Sequence, residues 1–201
     1  MNIKEYVGKT KEEAKEKALQ ELGVDESEIL SKVEEVKGKL FKAATVKVKA
    51  VTIKEVSEYL KSYLNELLNN MNIEANYEVK VREGRINIKM FSSKNSILIG
   101  KNGQTLKALT NILKQVVYKD LEVYPYILLD VEDYKEKQEK RLERLAKSIA
   151  REVRTTGAEI AMDNMNSYER RIVHNVLAKY EDLDTSSEGE EPNRHIVVKL
   201  K

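Results

Sequence analysis

The chain contains no cysteine. That removes disulfides, thiolate nucleophiles and thiolate metal sites in one step, and it fits a reducing compartment. With only two histidines beside it, a His-rich metal centre is excluded too. Tryptophan is absent and phenylalanine occurs only at Phe41 and Phe91, so Leu, Ile, Val and Tyr must fill the core of a 201-residue chain. No apolar run approaches the ~20 residues that a membrane span needs. Met1-Asn2-Ile3-Lys4-Glu5 opens straight into a charged pattern rather than a secretory leader. The phosphate-binding pattern Gly-x-x-x-x-Gly-Lys-Ser/Thr is also missing. These absences predict a cytoplasmic protein with no transmembrane segment, no cofactor, no metal site and no catalytic residues.

One further absence is local. Charged residues make up 35% of the chain and the net charge is only +2. Yet Gly84 to Lys119 holds seven basic residues and no Asp or Glu. About six acids would be expected in a window of that length. A local basic surface can therefore exist on a nearly neutral protein.

What is present falls into three blocks, and the expected fold class is α+β with three small domains. Residues 1–52 read as β-α-β-β: a strand over Asn2 to Val7, a helix opened by Thr10 with Glu13 and closed by Gly23, a strand over Ile29 to Val36, a turn at Lys37-Gly38, and an alternating strand at Val46 to Ala50. Residues 53–131 read as α-β-β-α-α-β. A helix over Lys54 to Asn70 precedes strands at Tyr77 to Val81 and Ile86 to Met90, with Glu83-Gly84 suited to the tight turn between them. A short helical turn at Ser96 to Ile99, a loop, a helix from Gln104 to Tyr118 and a strand from Tyr124 to Val131 follow, and Pro125 suits an edge position. Residues 132–201 open with a long charged helix, Asp133 to Val153, with Leu142, Leu145, Ala146, Ile149, Ala150 and Val153 as its apolar stripe. Asn166 with Glu169 forms a capping box for a helix from Ser167 to Tyr180, the polar tract Asp184 to Asn193 reads as a solvated acidic loop, and His195 to Leu200 reads as a strand.

Leu98-Ile99-Gly100-Lys101-Asn102-Gly103 carries the chemistry. Two glycines three positions apart let a backbone come within contact distance of a phosphate chain. The next helix begins there, so its unpaired amides face the same place. Lys101 adds a mobile cation, Asn102 adds hydrogen-bond donors, and Lys107 lies one turn further on. The plain alternative is an ordinary glycine turn between helices.

Arg170 and His174, four residues apart, share one face of the following block's second helix, at the margin of the stripe Val173, Val176, Leu177 and Tyr180. They are expected to reach solvent together, an Arg fork for phosphate and an imidazole for a base. The alternative is a surface arginine beside a histidine that packs the helix.

Residues 53–131 resemble a KH domain of the prokaryotic type, in which the Gly-x-x-Gly loop clamps about four nucleotides of single strand; Ile99, Gly100 and Gly103 match the motif. Asn166 to His174 together with Ser187 to Arg194 resembles the R-three-H domain, associated with single-stranded nucleic acid, and Arg170 and His174 occupy its two eponymous positions. The order of blocks resembles the bacterial Jag family over essentially the whole chain: an N-terminal Jag domain at 1–52, KH at 53–131 and R-three-H at 132–201. Two departures stand out, the lack of a further glycine after Gly38-Lys39-Leu40-Phe41 and the near-direct junction of the first two blocks.

The resemblance implies an RNA-binding regulator linked to cell elongation or division. It implies single-stranded RNA and a small single-KH protein as partners, and membrane-associated division or insertion machinery reached through the N-terminal domain. A protein-interaction scaffold, using the basic face for acidic partners, is the competing reading.

Overall fold

Alternation of apolar and charged side chains sets most strands, and hydroxyl or amide caps set where the helices beginning at Lys11, Ile53 and Ser167 start. The computed structural model describes residues 1–36 and 45–201; the expected Lys37-Gly38 turn and the Gly38 to Phe41 stretch lie outside the described residues. The chain divides into two compact units, Met1–Glu132 and Asp133–Lys201.

The first unit begins with β1 (Lys4–Gly8), α1 (Lys11–Leu22), β2 (Ile29–Val36) and β3 (Thr45–Thr52), which make an antiparallel sheet in the order β1-β3-β2. The Thr10 hydroxyl accepts the Glu13 amide at 3.2 Å, and Gly23, at φ 67°, ends the helix by donating to Leu19 O at 2.8 Å. Tyr6, Ala14, Ala18, Val48 and Ala50 are the buried residues of this small core.

Thr52 ends β3 and also caps α2 (Ile53–Asn70), accepting the Glu55 amide at 3.2 Å. No residue separates the two elements. β4 (Asn76–Arg82) and β5 (Arg85–Phe91) form a hairpin whose turn residues Glu83 and Gly84 have φ of 48° and 74°, the positive pair that a two-residue turn between right-twisted strands needs. After α3 (Asn95–Ile99) and α4 (Gln104–Leu121), β6 (Tyr126–Val131) runs parallel to β5 and completes a sheet ordered β4-β5-β6. Pro125 sits just ahead of this edge strand. Leu60, Leu64 and Leu68 of α2, Leu113, Val117 and Leu121 of α4, and Ile86, Ile88, Met90, Leu129 and Val131 of the sheet are almost completely buried. The two halves of this unit also touch: Lys32 of β2 pairs with Glu122 at the end of α4, and a Cβ on Gly84 of the β4–β5 turn would lie 3.2 Å from Ser27 O, just ahead of β2.

The second unit is α5 (Tyr134–Thr156), β7 (Ile160–Ala161), α6 (Ser167–Leu177), β8 (Leu183–Glu188) and β9 (His195–Leu200), with an antiparallel sheet ordered β7-β9-β8. Leu142, Ala146, Ala150 and Val153 of α5 meet Val173, Val176 and Leu177 of α6 and Ile196 and Val198 of β9 in its core. Leu145, expected inside, is 39% exposed.

Two expectations change here. The tract 184–193 is not a loop throughout, because residues through Glu188 are strand β8, paired from Leu183↔Leu200 to Glu188↔His195. Its Thr and Ser residues tolerate an edge strand, and apolar β9 supplies the partner that composition alone does not reveal. The helix expected to run to Tyr180 ends at Leu177.

Candidate nucleic-acid interface

Gly100 follows α3 with φ 70° and ψ −178°, a backbone state open essentially to glycine alone. A Cβ there would also collide with Thr105, coming within 2.9 Å of its backbone nitrogen. Asn102 (φ 51°) and Gly103 (φ 75°) are left-handed as well, and Asn is among the few residues other than glycine that take that state readily. Three of the four loop residues thus carry positive φ, which turns the chain sharply from α3 into α4. The Gly100 amide is used within the turn, donating to Ser96 O at 2.9 Å. Gly103 stands at the N-cap of α4 and has no side chain to cap it. The Gly103 and Gln104 amides donate to Gly100 O and Lys101 O, and no side chain caps the amides that follow at the positive end of that 18-residue helix.

Lys101, Asn102, Gln104 and Lys107 are exposed around this turn. The side-chain amines of Lys101 and Lys107 have no ion-pair or hydrogen-bond partner among the described residues. Lys94, nearby in sequence, donates instead to Asn72 O at 2.8 Å. The acid-free window does not make one surface. Arg85 and Lys89 alternate along β5 with the buried Ile86, Ile88 and Met90, so they project from the sheet face opposite the helices.

In the second unit, Asn166 accepts the Tyr168 and Glu169 amides at 3.0 and 3.1 Å, and Glu169 in turn accepts the Asn166 amide at 3.0 Å. This box fixes the start of α6. Arg170 and His174 follow on it, but they do not reach solvent together. Arg170 is buried: Nη1 donates to Met165 O at 2.5 Å and Nη2 to Glu191 at 2.9 Å. His174 is exposed, with Nδ1 2.8 Å from the Thr185 hydroxyl. Glu191 and Thr185 are the residues that sequence reasoning missed. Both lie in the tract taken for solvated loop.

Among the described residues no group of His, Asp and Glu is arranged to hold a metal ion, and no helix is long and apolar enough to cross a membrane.

The β-β-α-α-β core with its leading helix, the Gly-x-x-Gly turn and the Arg-x-x-x-His helix on a second α+β unit define a protein that joins a KH domain to an R-three-H domain. Comparison with known proteins agrees. The model of the KH domain of KhpA/KhpB matches residues 57–127, and that of the R-three-H domain matches residues 140–200. An RNA-binding protein KhpB of Clostridium symbiosum is 34% identical over 208 residues, covering 100% of this chain and 93% of the relative. A protein of the same name from Bacillus subtilis is 32% identical, with 96% of each chain covered, and one from Lactiplantibacillus plantarum is 33% identical over 69% of this chain and 43% of its own. The chain belongs to the KhpB family, the same family as the Jag proteins it resembles in sequence.

Proposed function

We propose that this protein binds single-stranded RNA, holding the sugar-phosphate chain at Gly100, Lys101, Asn102, Gly103 and Lys107 and a neighbouring stretch at His174. The observation that carries the reading is the loop itself. Positive φ at three of its four residues brings backbone, an unpaired lysine and the open end of α4 to one exposed point. That is the chemistry a phosphate chain needs, and it requires no base identity. The relatives named as RNA-binding proteins support it. Arg170 contributes by holding the 189–194 turn against α6 through Glu191, while the exposed imidazole meets the strand. The reading includes a division into modules at 52/53 and 131/132. It makes the protein a non-enzymatic cytoplasmic regulator of cell elongation or division, with the N-terminal module and a single-KH protein serving protein contacts.

The test is Lys101→Asp with Asn102→Asp. Aspartate tolerates the left-handed state at position 102, so the loop keeps its shape while two carboxylates face the phosphates. Fluorescence anisotropy with labelled single-stranded RNA should show binding lost, and a melting curve should be unchanged. Unaltered affinity in the folded variant would falsify the phosphate-clamp assignment.

A further inference from the structure

Helix α5 carries a feature that the KH loop and the Arg-x-x-x-His pair leave unused. Its buried stripe is Leu142, Ala146, Ala150 and Val153. On the opposite side Arg141, Arg144, Lys147 and Arg151 follow one another at spacings of three and four residues, and all four are exposed. Helix neighbours are the residues three and four positions away. For Arg144 these are Lys140, Arg141, Lys147 and Ser148; for Arg151 they are Lys147, Ser148, Arg154 and Thr155; for Arg141 they are Lys137, Gln138, Arg144 and Leu145. None is acidic. Arg141 Nε donates to Gln138 and Arg144 Nε to Lys140 O, and none of the four cations has a carboxylate partner among the described residues.

A merely solvated helix face looks different, and α1 shows how. There Lys17 pairs with Glu13 at 2.7 Å across one turn, and Lys15 pairs with Glu26. The α5 ridge instead stacks like charges, an arrangement that opposes helix stability. A local rule broken with no compensating carboxylate among the described residues points to a partner outside the fold. From Arg141 to Arg151 the ridge is about 15 Å long at the rise of an α-helix. Guanidinium groups suit phosphate because their planar donors form paired bonds.

We propose that Arg141, Arg144 and Arg151, with Lys147 between them, form a phosphate-tracking ridge that gives single-stranded RNA a contact separate from the Gly100–Gly103 loop and from His174. This inference rests on the RNA-binding reading. It assigns the ridge to the strand's backbone, so it adds affinity and salt dependence without base preference.

The experiment uses the full chain and a long labelled uridylate strand, titrated over a series of salt concentrations. Arg141→Gln, Arg144→Gln and Arg151→Gln are combined in one variant, and the same three positions as Lys in another. Gln keeps helix propensity close to that of Arg. The slope of log affinity against log salt should become shallower by about 2 in the Gln variant, since each phosphate contact on a single strand contributes about 0.7. The Lys variant should keep the wild-type slope. The melting temperature of the Gln variant should rise slightly as repulsion is relieved, which separates lost contact from lost fold. A Gln variant that binds with the wild-type slope overturns the ridge while leaving the loop standing. Wild type without salt-dependent RNA binding overturns the RNA reading and the ridge with it. Loss of binding to phosphatidylglycerol vesicles with RNA titrations unmoved would assign the ridge to a lipid surface and overturn the proposal.

Discussion

Arg170 and His174 share a face of α6 but not an environment. The guanidinium is turned inward to Met165 O and Glu191, and the imidazole, one turn on, is turned outward beside Thr185. Two residues that sequence spacing treats as one unit therefore divide the work. One holds a turn in place and the other faces solvent.

Their substitution should separate in the same way. Arg170→Ala leaves the Met165 carbonyl without a donor and frees Glu191, and the arginine side chain is only 10% exposed. A urea titration should show a loss of about 1–3 kcal/mol, the usual cost of an unsatisfied buried group. His174→Ala should stay within about 0.5 kcal/mol of wild type, as exposed positions do. It should weaken long RNA strands while leaving strands of about four nucleotides, which fill only the KH groove, unchanged. Equal losses at both lengths would remove His174 from the interface.

Gly100→Ala is expected to fail at the fold before it fails at the ligand. The backbone state at φ 70°, ψ −178° and the contact with Thr105 leave no room for a methyl group. Strain of this kind costs on the order of 1–3 kcal/mol. Denaturant unfolding should move by that amount, and RNA binding should fall because α4 and its open amides shift. A variant as stable as wild type would show that the loop relaxes easily and does not depend on glycine.

The end of α5 offers a pH test. Arg154 grips Asp182 through two nitrogens, Nε at 2.5 Å, and lies 4.9 Å from the Tyr180 ring. The hydrogen bond from Arg154 holds the Asp182 carboxyl below its usual value. A carboxylate with a lowered folded-state pKa contributes stability above its unfolded value and loses it as pH falls through the folded one. Asp182→Asn should therefore melt below wild type at neutral pH, and the gap should close as pH drops past the carboxylate range near ~4. A gap that persists unchanged in acid would mean that packing on Tyr180, not charge, sets the effect.

Much of this architecture is legible in sequence because its determinants are local. Thr10 with Glu13 and Asn166 with Glu169 announce helix starts within four residues, and Glu83-Gly84 and Gly100 to Gly103 announce turns that need positive φ. The burial of Arg170 is not legible because its partner Glu191 lies 21 residues away in a tract whose composition reads as solvated. Strand β8 is hidden for a related reason. Asp184, Thr185, Ser186 and Ser187 carry almost no apolar alternation, and only the register with β9 makes them a strand.

Thr52 belongs at once to the end of β3 and to the cap of α2. With no residue between sheet and helix free to swivel, the junction acts as a rigid elbow rather than a tether. Whatever grips the first sheet is carried at a set bearing to the Gly100 turn. If the first sheet takes a protein partner, as proposed above, the complex would present RNA from one direction, and inserting a flexible Gly-Ser segment after Thr52 would convert a fixed aim into a search through a volume set by the length of the insert.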